Sequence, residues 1–398
     1  MRVETILQDI LSKKLQNGCL RRTRTSVLVE MAAALIKDKA ILTLSSLGQN
    51  LAGTSHEKHK VKRVDRALGN DGLYEDLPLA YKALFEELLC KRKVLDIIVD
   101  WSGCCNWHES CIRASLVCAG RALTIYQEVH ESSMQQKHEV HLEFLVNLKK
   151  LIPSSTEVTI ITDRGFQAKW FNLVQNMGWD FIGRVSSTYN YQLNNKGELK
   201  SIRELYAKAT SKAEMLGEGF IGTRKKTYGY FYRYKSKLKG RKSKKIKNKP
   251  HYKHLDREYG SQQKTPWIIM TSHKPNERDA KSVVNAYYTR MQIEQTFRDD
   301  KSERFGYGFR FGRTRSVKRL SILLFVAALA SFALMITGVV GESKKLQKKY
   351  QANTISHRRV LSLITLGKRI IKQGIDRFKR SELIQGIFML SRGIATSG

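Results

Sequence analysis

The sequence predicts an α/β protein whose central part is a mixed β-sheet. Hydrophobic residues recur at helical spacing through residues 1–93, and from residue 94 the spacing changes to that of strands. Three strand-like segments then follow one another, and after them come helix, strand, helix and strand. This order is typical of a sheet with both parallel and antiparallel neighbours. A chain of 398 residues is long enough for roughly two to four domains.

The charge of the chain predicts a polyanionic partner. Its 71 Lys and Arg residues outnumber its 36 Asp and Glu residues, which gives a formal net charge of +35. This excess is far larger than solubility requires. DNA, RNA and an anionic membrane surface are all consistent with the charge taken by itself.

Three features of the sequence bear on where the protein resides. The N-terminal segment carries Glu4 and Asp9 among its apolar residues, so it is not a signal peptide. The cysteines and His108 within 104–118 form no CxxC pair, which favours reduced thiols over a zinc site. The apolar segment 322–340 is long enough to span a membrane. It stands alone and is rich in Ala, Ser and Thr, so a buried helix is favoured over a span.

Residues 1–93 are predicted to form helices. An amphipathic segment at 21–40 is followed, over 42–70, by two short helices around a Gly-Thr-Ser break. A basic helix after a tight turn is typical of a helix-turn-helix, and the alternative is a small solvated helical bundle. The basic residues favour DNA contact over that alternative; they are Lys58, Lys60, Lys62, Arg63 and Arg66.

The strands of the predicted sheet are rich in β-branched and aromatic residues and are separated by Gly or polar breaks. They lie at 94–102, 111–119, 121–130, 156–166 and 180–186. Helical patterns at 137–153 and 167–178 end at Pro153 and Gly178, respectively.

Residues 187–264 interrupt this alternation and carry a strongly basic segment. Fourteen Lys or Arg residues and no acidic residue lie in 224–253, with aromatic residues interleaved. A solvated loop and an arm that grips phosphates through its charges both fit this composition. We favour a β-rich insertion, after which a strand at 266–272 precedes a helix at about 278–300.

Three carboxylates are candidates for one catalytic site. Asp100 and Asp163 each end a buried strand, and Glu294 lies on the later helix. A carboxylate at the end of a buried strand needs solvent, a cation or hydrogen bonds. Converging carboxylates repel one another unless a cation neutralises them, and hard oxygen ligands select Mg²⁺ or Mn²⁺. Two such ions about 4 Å apart would promote phosphoryl transfer.

The helix that carries Glu294 has an unusual polar face. On a continuous helix, Tyr287, Arg290, Glu294 and Lys301 share an arc of roughly 60°. One explanation is a set of ligands and phosphate contacts. The alternative is a ladder of exposed ion pairs that links Arg290, Glu294 and Arg298, which would stabilise the helix by only tenths of a kcal/mol, on the order of 0.5 or less.

These residues resemble the bacterial DDE transposases of the insertion-sequence-four family, most closely its transposon-ten-like branch. The segment YYTRMQIEQTFRDDK, residues 287–301, fills all four places of the Y-x2-R-x3-E-x6-K signature. IIVDWS and IITDRGF are similar to the two aspartate segments of that family. Further similar segments are VKRVDRALGN, GRALTIY, KSKLKGRK and the C-terminal QANT with the VLS after it.

The resemblance implies a ribonuclease-H-like core with a β-rich insertion, between helical regions at both ends. The implied domains are an N-terminal DNA-end-binding domain, the first part of the catalytic core, the basic insertion, the second part of the core and a C-terminal helical region. Their boundaries are 1–93, 94–186, 187–264, 265–320 and 321–398. It also implies that 322–340 is a buried helix.

The resemblance further implies a cut-and-paste DNA transposase. Such an enzyme nicks transposon ends, forms and resolves a hairpin, and transfers strands into target DNA. Asp100, Asp163 and Glu294 would be catalytic and would hold two Mg²⁺ ions, with Mn²⁺ as a substitute. The residues implied to contact DNA phosphates are Tyr287, Arg290, Arg298 and Lys301, and those implied for base flipping are Trp267 and Met291.

The implied partners are the terminal inverted repeats of the transposon, target DNA and a second copy of the chain in a synaptic homodimer. No membrane partner is expected, and the implied location is the bacterial cytoplasm, at the nucleoid. Two alternatives stay open. One is a catalytically silent end-binding repressor, and the other is a ribonuclease-H-like, structure-selective nuclease that shares the metal site.

Overall fold

A computed structural model of the chain describes residues 3–392 with several gaps. The residues outside the description within this range are 19, 38, 106–107, 119, 195–197, 224, 237–264, 304–305, 353, 356 and 375–376. The chain divides into two compact units. The first comprises the chain up to Val158 and the chain from Met291 onward, and the second runs from Thr159 to Arg290.

The first unit begins with six helices. Thr43 caps the third by accepting a hydrogen bond from the Ser46 amide, and Asn70 caps the fifth by accepting one from the Leu73 amide. The amphipathic helix and the two short helices after it confirm the prediction for this part of the chain. The helices are α1 Val3–Asn17, α2 Arg22–Ile36, α3 Leu44–Asn50, α4 Glu57–Leu68, α5 Asp71–Glu75 and α6 Leu77–Leu89.

Three antiparallel strands follow in the first unit, in the spatial order β3-β2-β1. They are β1 Val94–Gly103, β2 Glu109–Leu116 and β3 Leu123–Glu131, and helix α7, His138–Lys149, comes after them. Every residue of β2 is buried. The register pairs Asp100 on β1 with Arg113 on β2, so a basic residue lies opposite the first candidate aspartate.

The second unit contains a mixed set of strands in the order β4-β5-β10-β9-β8-β6-β7. β4 and β5 are parallel and the other neighbours are antiparallel. The α/β class and the mixed sheet are therefore confirmed. The strands are β4 Glu157–Thr162, β5 Asp180–Arg184, β6 Asn190–Leu193, β7 Lys200–Ser201, β8 Glu214–Ile221, β9 Thr227–Tyr234 and β10 Trp267–Thr271, and the helices are α8 Ala168–Asn176 and α9 Ala280–Thr289.

The predicted basic arm lies largely outside the described residues. The structure describes strands β6 to β9 within 187–264, but not residues 237–264. The phosphate-gripping function of that segment stays a prediction. Gly178, after α8, has φ +75°, in the left-handed region that ends helices, as the sequence predicts.

The helix expected over about 278–300 is two helices, and the continuous helix was a wrong prediction. α9 ends at Thr289 and α10, Met291–Lys301, begins two residues later. Thr289 Oγ1 donates to the Ala286 carbonyl at 2.6 Å, and the Arg290 amide bonds to the Tyr287 carbonyl three residues back. Side-chain competition for backbone carbonyls and a tight last turn interrupt the regular ladder. Tyr287 and Glu294 therefore belong to different helices, α9 and α10.

The rest of the first unit is helical and surrounds a long apolar helix. α11, Val317–Ser343, packs against α2, β3 and two later helices, and 89% of its most apolar window is buried. This confirms the prediction of a buried helix, although α11 is long and apolar enough to cross a membrane. The later helices are α12 Gln347–Tyr350, α13 Leu363–Gln373 and α14 Arg380–Arg392.

Two glycines allow α11 and α13 to approach at backbone distance. A Cβ on Gly338 would lie 2.2 Å from the Leu363 carbonyl oxygen, and one on Gly367 would lie 2.1 Å from the Leu334 carbonyl oxygen. A Cβ on Gly341 would instead meet the end of the flexible Ile370 side chain, at 2.3 Å. The crossing therefore depends on the first two glycines more than on the third.

We expect Gly338→Ala and Gly367→Ala each to destabilise the first unit by about 1–3 kcal/mol, because the helices must separate to admit a methyl group. A lower Tm in thermal unfolding would report the loss. Gly341→Ala is the matched control and should change Tm much less, because a side chain can rotate away. Equal effects for all three variants would contradict the close-approach explanation.

Candidate active site

Asp163 follows strand β4 in the second unit and is held by polar neighbours. Its Oδ1 accepts hydrogen bonds from the Arg164 amide at 2.6 Å and from the Tyr287 hydroxyl at 3.1 Å. Arg290 Nη1 lies 3.6 Å from its Oδ2. The side chain is still 31% exposed, so this carboxylate is oriented by the protein and also accessible from solvent.

Tyr287 and Arg290, two predicted phosphate contacts, lie at the end of α9 and both face Asp163. Tyr287 is only 2% exposed. Burial, and then the charge of Asp163, raise the pKa of the Tyr287 phenol above its ordinary value. The phenol therefore stays protonated and can donate to the carboxylate.

An aromatic cluster surrounds Trp267 in the second unit. The ring centroid of Trp267 lies 4.9 Å from that of Tyr287, 5.0 Å from that of Tyr288 and 5.6 Å from that of Tyr234. Tyr288 is 38% exposed, and Trp267 is half-buried. Trp267 thus packs against the tyrosine that orients Asp163 and also reaches the surface.

Asp100 lies near the end of β1 in the first unit. Its Oδ1 accepts a hydrogen bond from the Trp101 amide at 2.8 Å. The Trp101 indole donates in turn to His141 Nε2 at 3.2 Å. Burial lowers the pKa of His141 to about 4, so the ring is neutral near pH 7 and can accept this bond. The backbone beside Asp100 is thereby tied to α7.

Glu294 lies in the first turn of α10 and is exposed. At the other end of the helix, Lys301 Nζ donates to Ser102 Oγ at 2.8 Å, two residues beyond Asp100. Burial lowers the pKa of Lys301 below its ordinary value. Met291 and Arg298 of the same helix are exposed.

A buried ion pair fastens α10 to the strands. Arg113 Nη1 on β2 lies 2.7 Å from Asp300 Oδ2, and the two side chains are 2% and 7% exposed. Gln127 accepts from Arg113 Nε at 2.8 Å and donates to the Tyr81 hydroxyl and the Leu324 carbonyl. This network joins α10 to β2, β3, α6 and α11.

Three contacts near the β2–β3 turn hold the same helix. Arg121 Nε donates to Asp299 Oδ2 at 2.7 Å, and the Cys118 amide donates to Gln292 Oε1 at 3.1 Å. Thr296 Oγ1 donates to the Ala122 carbonyl at 3.2 Å. The position of Glu294 therefore depends on residues along the whole of α10.

The sequence did not single out Arg113, Gln127 or Asp300. One signal was present, because Arg113 interrupts the apolar segment CIRASLV and a buried strand does not hold an arginine without a partner. The partner itself was not evident, since Asp300 is distant in sequence and stands in a charged segment that resembles a solvated helix end.

The donor chemistry of the three candidate carboxylates fits a hard divalent cation. Glu294 is exposed and both aspartates are part-exposed, and carboxylate oxygens are the ligands that Mg²⁺ and Mn²⁺ prefer. Within the described part of the chain, no group of three or more His, Cys, Asp or Glu residues is placed so that it could hold a metal ion. Asp100 and Glu294 belong to the first unit, and Asp163 belongs to the second.

Comparison with protein families decides the class. The family model described as the transposase DDE domain matches residues 99–332, which is more than half of the chain. The chain belongs to the DDE transposase family. The match includes all three candidate carboxylates. A search of curated proteins found no match to the chain.

Membership of the family establishes the general chemistry. The protein is a transposase with DNA substrates, and its reaction class is phosphoryl transfer by a nuclease and strand transferase. DDE transposases generally use divalent metal ions. The described α/β architecture is consistent with the ribonuclease-H-like fold of such enzymes.

The buried pair gives a stability prediction. Asp300→Asn should destabilise the first unit by about 3–5 kcal/mol, because it leaves the buried Arg113 charge without a carboxylate. The double variant Arg113→Met/Asp300→Leu should recover most of that loss, since no buried charge remains. Thermal unfolding measures both effects.

The control for this prediction is the exposed pair of Lys13 and Asp9, whose atoms lie 3.7 Å apart. Lys13→Ala should change stability by no more than about 0.5 kcal/mol. A double variant less stable than Asp300→Asn would contradict the assignment of a costly uncompensated charge.

Proposed function

We propose that the protein is a cut-and-paste transposase of the insertion-sequence-four family, in its transposon-ten-like branch. It would nick transposon ends, form and resolve hairpins there, and transfer the ends into target DNA. The observation that carries this proposal is the DDE-domain match over residues 99–332. The four-residue signature, both aspartate segments and the net charge of +35 support the finer assignment.

Asp100, Asp163 and Glu294 are proposed as the catalytic carboxylates and as the ligands of two Mg²⁺ ions, which Mn²⁺ could replace. The bound cations would lower the pKa of an attacking hydroxyl and neutralise charge on the phosphate. The protein residues keep the donors in place. Tyr287 and Arg290 orient Asp163, and the Arg113–Asp300 pair holds the helix of Glu294.

Positive residues near the carboxylates are proposed to position the DNA strand. Arg290 presents a planar guanidinium fork that matches phosphate oxygens, and Lys301 presents a point charge. Arg298 on α10 is exposed and available for the same function. Tyr287 would contact phosphate only through its hydroxyl, because its ring is buried.

The proposed assembly is a homodimer on paired transposon ends, in the bacterial cytoplasm at the nucleoid and without a membrane partner. Residues 1–93 would bind the terminal repeat and the basic segment of 187–264 would bind the backbone. The charge of the chain supports contact with long stretches of phosphate.

Replacement of the carboxylates tests the proposed chemistry. Asp100→Asn, Asp163→Asn and Glu294→Gln should each lower Mg²⁺-dependent nicking of a transposon-end duplex more than about 100-fold, because each removes charge that stabilises the transition state. Binding of the duplex should stay within about threefold of wild type, since no phosphate contact is lost.

The matched control is Glu157→Gln, at the opposite end of β4 from Asp163, where the side chain is exposed. It should nick normally. Ca²⁺ should support binding without nicking, because its larger and looser coordination misplaces the attacking oxygen. Substantial nicking by Glu294→Gln would remove that residue from the site. Binding without nicking by the wild-type protein would favour a silent end-binding repressor.

Trp267 and Met291 are proposed to act when a base leaves the stack during hairpin formation. Trp267→Ala should slow hairpin formation about 5- to 150-fold, equivalent to a stacking contribution of about 1–3 kcal/mol, and leave first-strand nicking nearly unchanged. Met291→Ala should have a similar but smaller effect, because it removes a wedge and not a stacking face.

Single-turnover kinetics with nicked and un-nicked duplexes separate these steps. Trp267→Phe is the conservative control and should retain most of the hairpin rate. An abasic site at the flipped position should partly rescue Trp267→Ala. If Trp267→Ala instead slows both steps equally and lowers Tm, the residue serves only to pack against Tyr287 and Tyr288.

A further inference from the structure

The N-terminal helices of the first unit line an open cavity of about 530 Å³ between the start of α2 and the end of α4. Four arginines line it, and no acidic residue does; they are Arg22, Arg24, Arg63 and Arg66. Thr23 and Asn70 add polar side chains to the wall. The cavity is large enough for many waters, each of which occupies about 30 Å³ in the liquid.

The first turn of α2 is positively charged, whereas the N-terminus of a helix favours negative charge. It contains Arg22 and Arg24 and no acidic residue, and no side chain caps it. The N-terminus of a helix carries about half a positive charge, so basic side chains there are unfavourable. An anion in the cavity would offset this repulsion and could accept hydrogen bonds from the helix amides.

Two of the four arginines are paired with carboxylates, and the other two are not. Arg24 donates to the Gly72 carbonyl at 2.8 Å and pairs with Asp76 at 2.5 Å, while Arg63 pairs with Glu30 at 2.7 Å. These two are fixed by the fold. Arg22 and Arg66 are exposed and have no carboxylate partner in the part of the chain that the structure describes. Their charges remain available to a ligand.

The side chains that line the cavity favour phosphate oxygens over a nucleobase as the ligand. Guanidinium groups match phosphate in planar, two-point contacts, and the Thr23 hydroxyl and the Asn70 amide can donate to the remaining oxygens. No aromatic ring is among the residues that line the cavity, so a base has no face on which to stack. The net charge of +35 favours a polymer of phosphates over an isolated anion.

We propose that this cavity binds a backbone phosphate of the DNA strand, with Arg22 and Arg66, the two arginines that have no carboxylate partner among the described residues, as its contacts. The contact would fix the position of the N-terminal helices along the duplex without reading sequence. The proposal rests on the proposed function, since that function supplies the DNA. The proposed site combines Arg66, near the end of α4, with Arg22, at the start of α2.

The test compares the full-length Arg22→Gln/Arg66→Gln variant with wild type in binding to a labelled random-sequence duplex over a series of salt concentrations. We expect the slope of log Kd against log salt to fall by about one unit, since the one lost phosphate contact releases about 0.9 fewer counterions. The matched control is Arg358→Gln/Arg377→Gln, which removes the same charge from exposed sites elsewhere in the first unit. Its slope should be nearly unchanged.

A scan of duplexes with a single neutral methylphosphonate locates the contact. One position should weaken wild-type binding but have little further effect on the double variant. The proposal would be overturned by an unchanged slope or by a slope change equal to that of the control. It would also be overturned if the losses of affinity caused by the methylphosphonate and by the double variant were strictly additive at every position. Arg22→Lys/Arg66→Lys keeps the charge and loses the two-point fork, so its slope should match wild type while its affinity for the duplex falls. Wild-type affinity in this variant would also overturn the proposal, which keeps the test decisive if the Gln variant does not fold.

The two proposals fail in different ways. Nicking by the carboxylate variants tests the catalytic proposal and does not involve Arg22 or Arg66. If the wild-type protein does not nick, the salt slope on random DNA still tests the cavity. If only the cavity assignment is wrong, nicking and the effects of the carboxylate variants are untouched.

Discussion

The buried ion pair between Arg113 and Asp300 is the interaction on which the position of α10, the helix of the candidate carboxylate Glu294, depends. Removing two charges from water costs several kcal/mol per ion, on the order of the stability of a whole domain, and close geometry with further hydrogen bonds must offset it. Gln127 supplies such a bond and continues the network to Tyr81 and to the backbone of α11. Helix α10 consequently has one position against the strands. Glu294 lies six residues before Asp300, or about 9 Å along the helix axis. Its position is therefore fixed together with that of the helix.

The two units support their carboxylates by different means. In the first unit, contacts along α10 fix the position of the exposed Glu294. Hydrogen bonds through Trp101 to His141 hold the backbone beside Asp100. In the second, Asp163 is contacted directly by Tyr287 and Arg290, and an aromatic cluster packs behind that tyrosine. Both arrangements leave oxygen donors accessible. A metal-dependent phosphoryl transferase needs this combination, because its ligands must be fixed and must still reach a substrate.

The strands and most helices could be predicted because burial of one part of each element gives its hydrophobic residues a regular spacing in the sequence. β2 and β4 are buried along nearly their whole length, and their candidate segments are dense in apolar residues. The break at Arg290 could not be predicted, because a hydroxyl bond from Thr289 and one tightened turn leave the hydrophobic period unchanged. Of the candidate site, the three proposed carboxylates were recognisable from their places at strand ends and in a spaced signature. Arg113, Asp300 and the aromatic cluster were not, because each contact joins residues from elements that are distant in sequence.

Fe²⁺-directed cleavage of the protein chain tests whether Asp100, Asp163 and Glu294 bind one cation site. With hydrogen peroxide and ascorbate added, Fe²⁺ bound in place of the proposed cation reduces the peroxide to a hydroxide ion and a hydroxyl radical, the radical cuts the nearest backbone, and the fragments identify the ligands. The test is run on the protein bound to transposon-end DNA. Cuts are expected beside Asp100, Asp163 and Glu294, all suppressed by excess Mg²⁺. Cuts confined to other segments, or cuts at these three that Mg²⁺ does not suppress, would contradict this expectation.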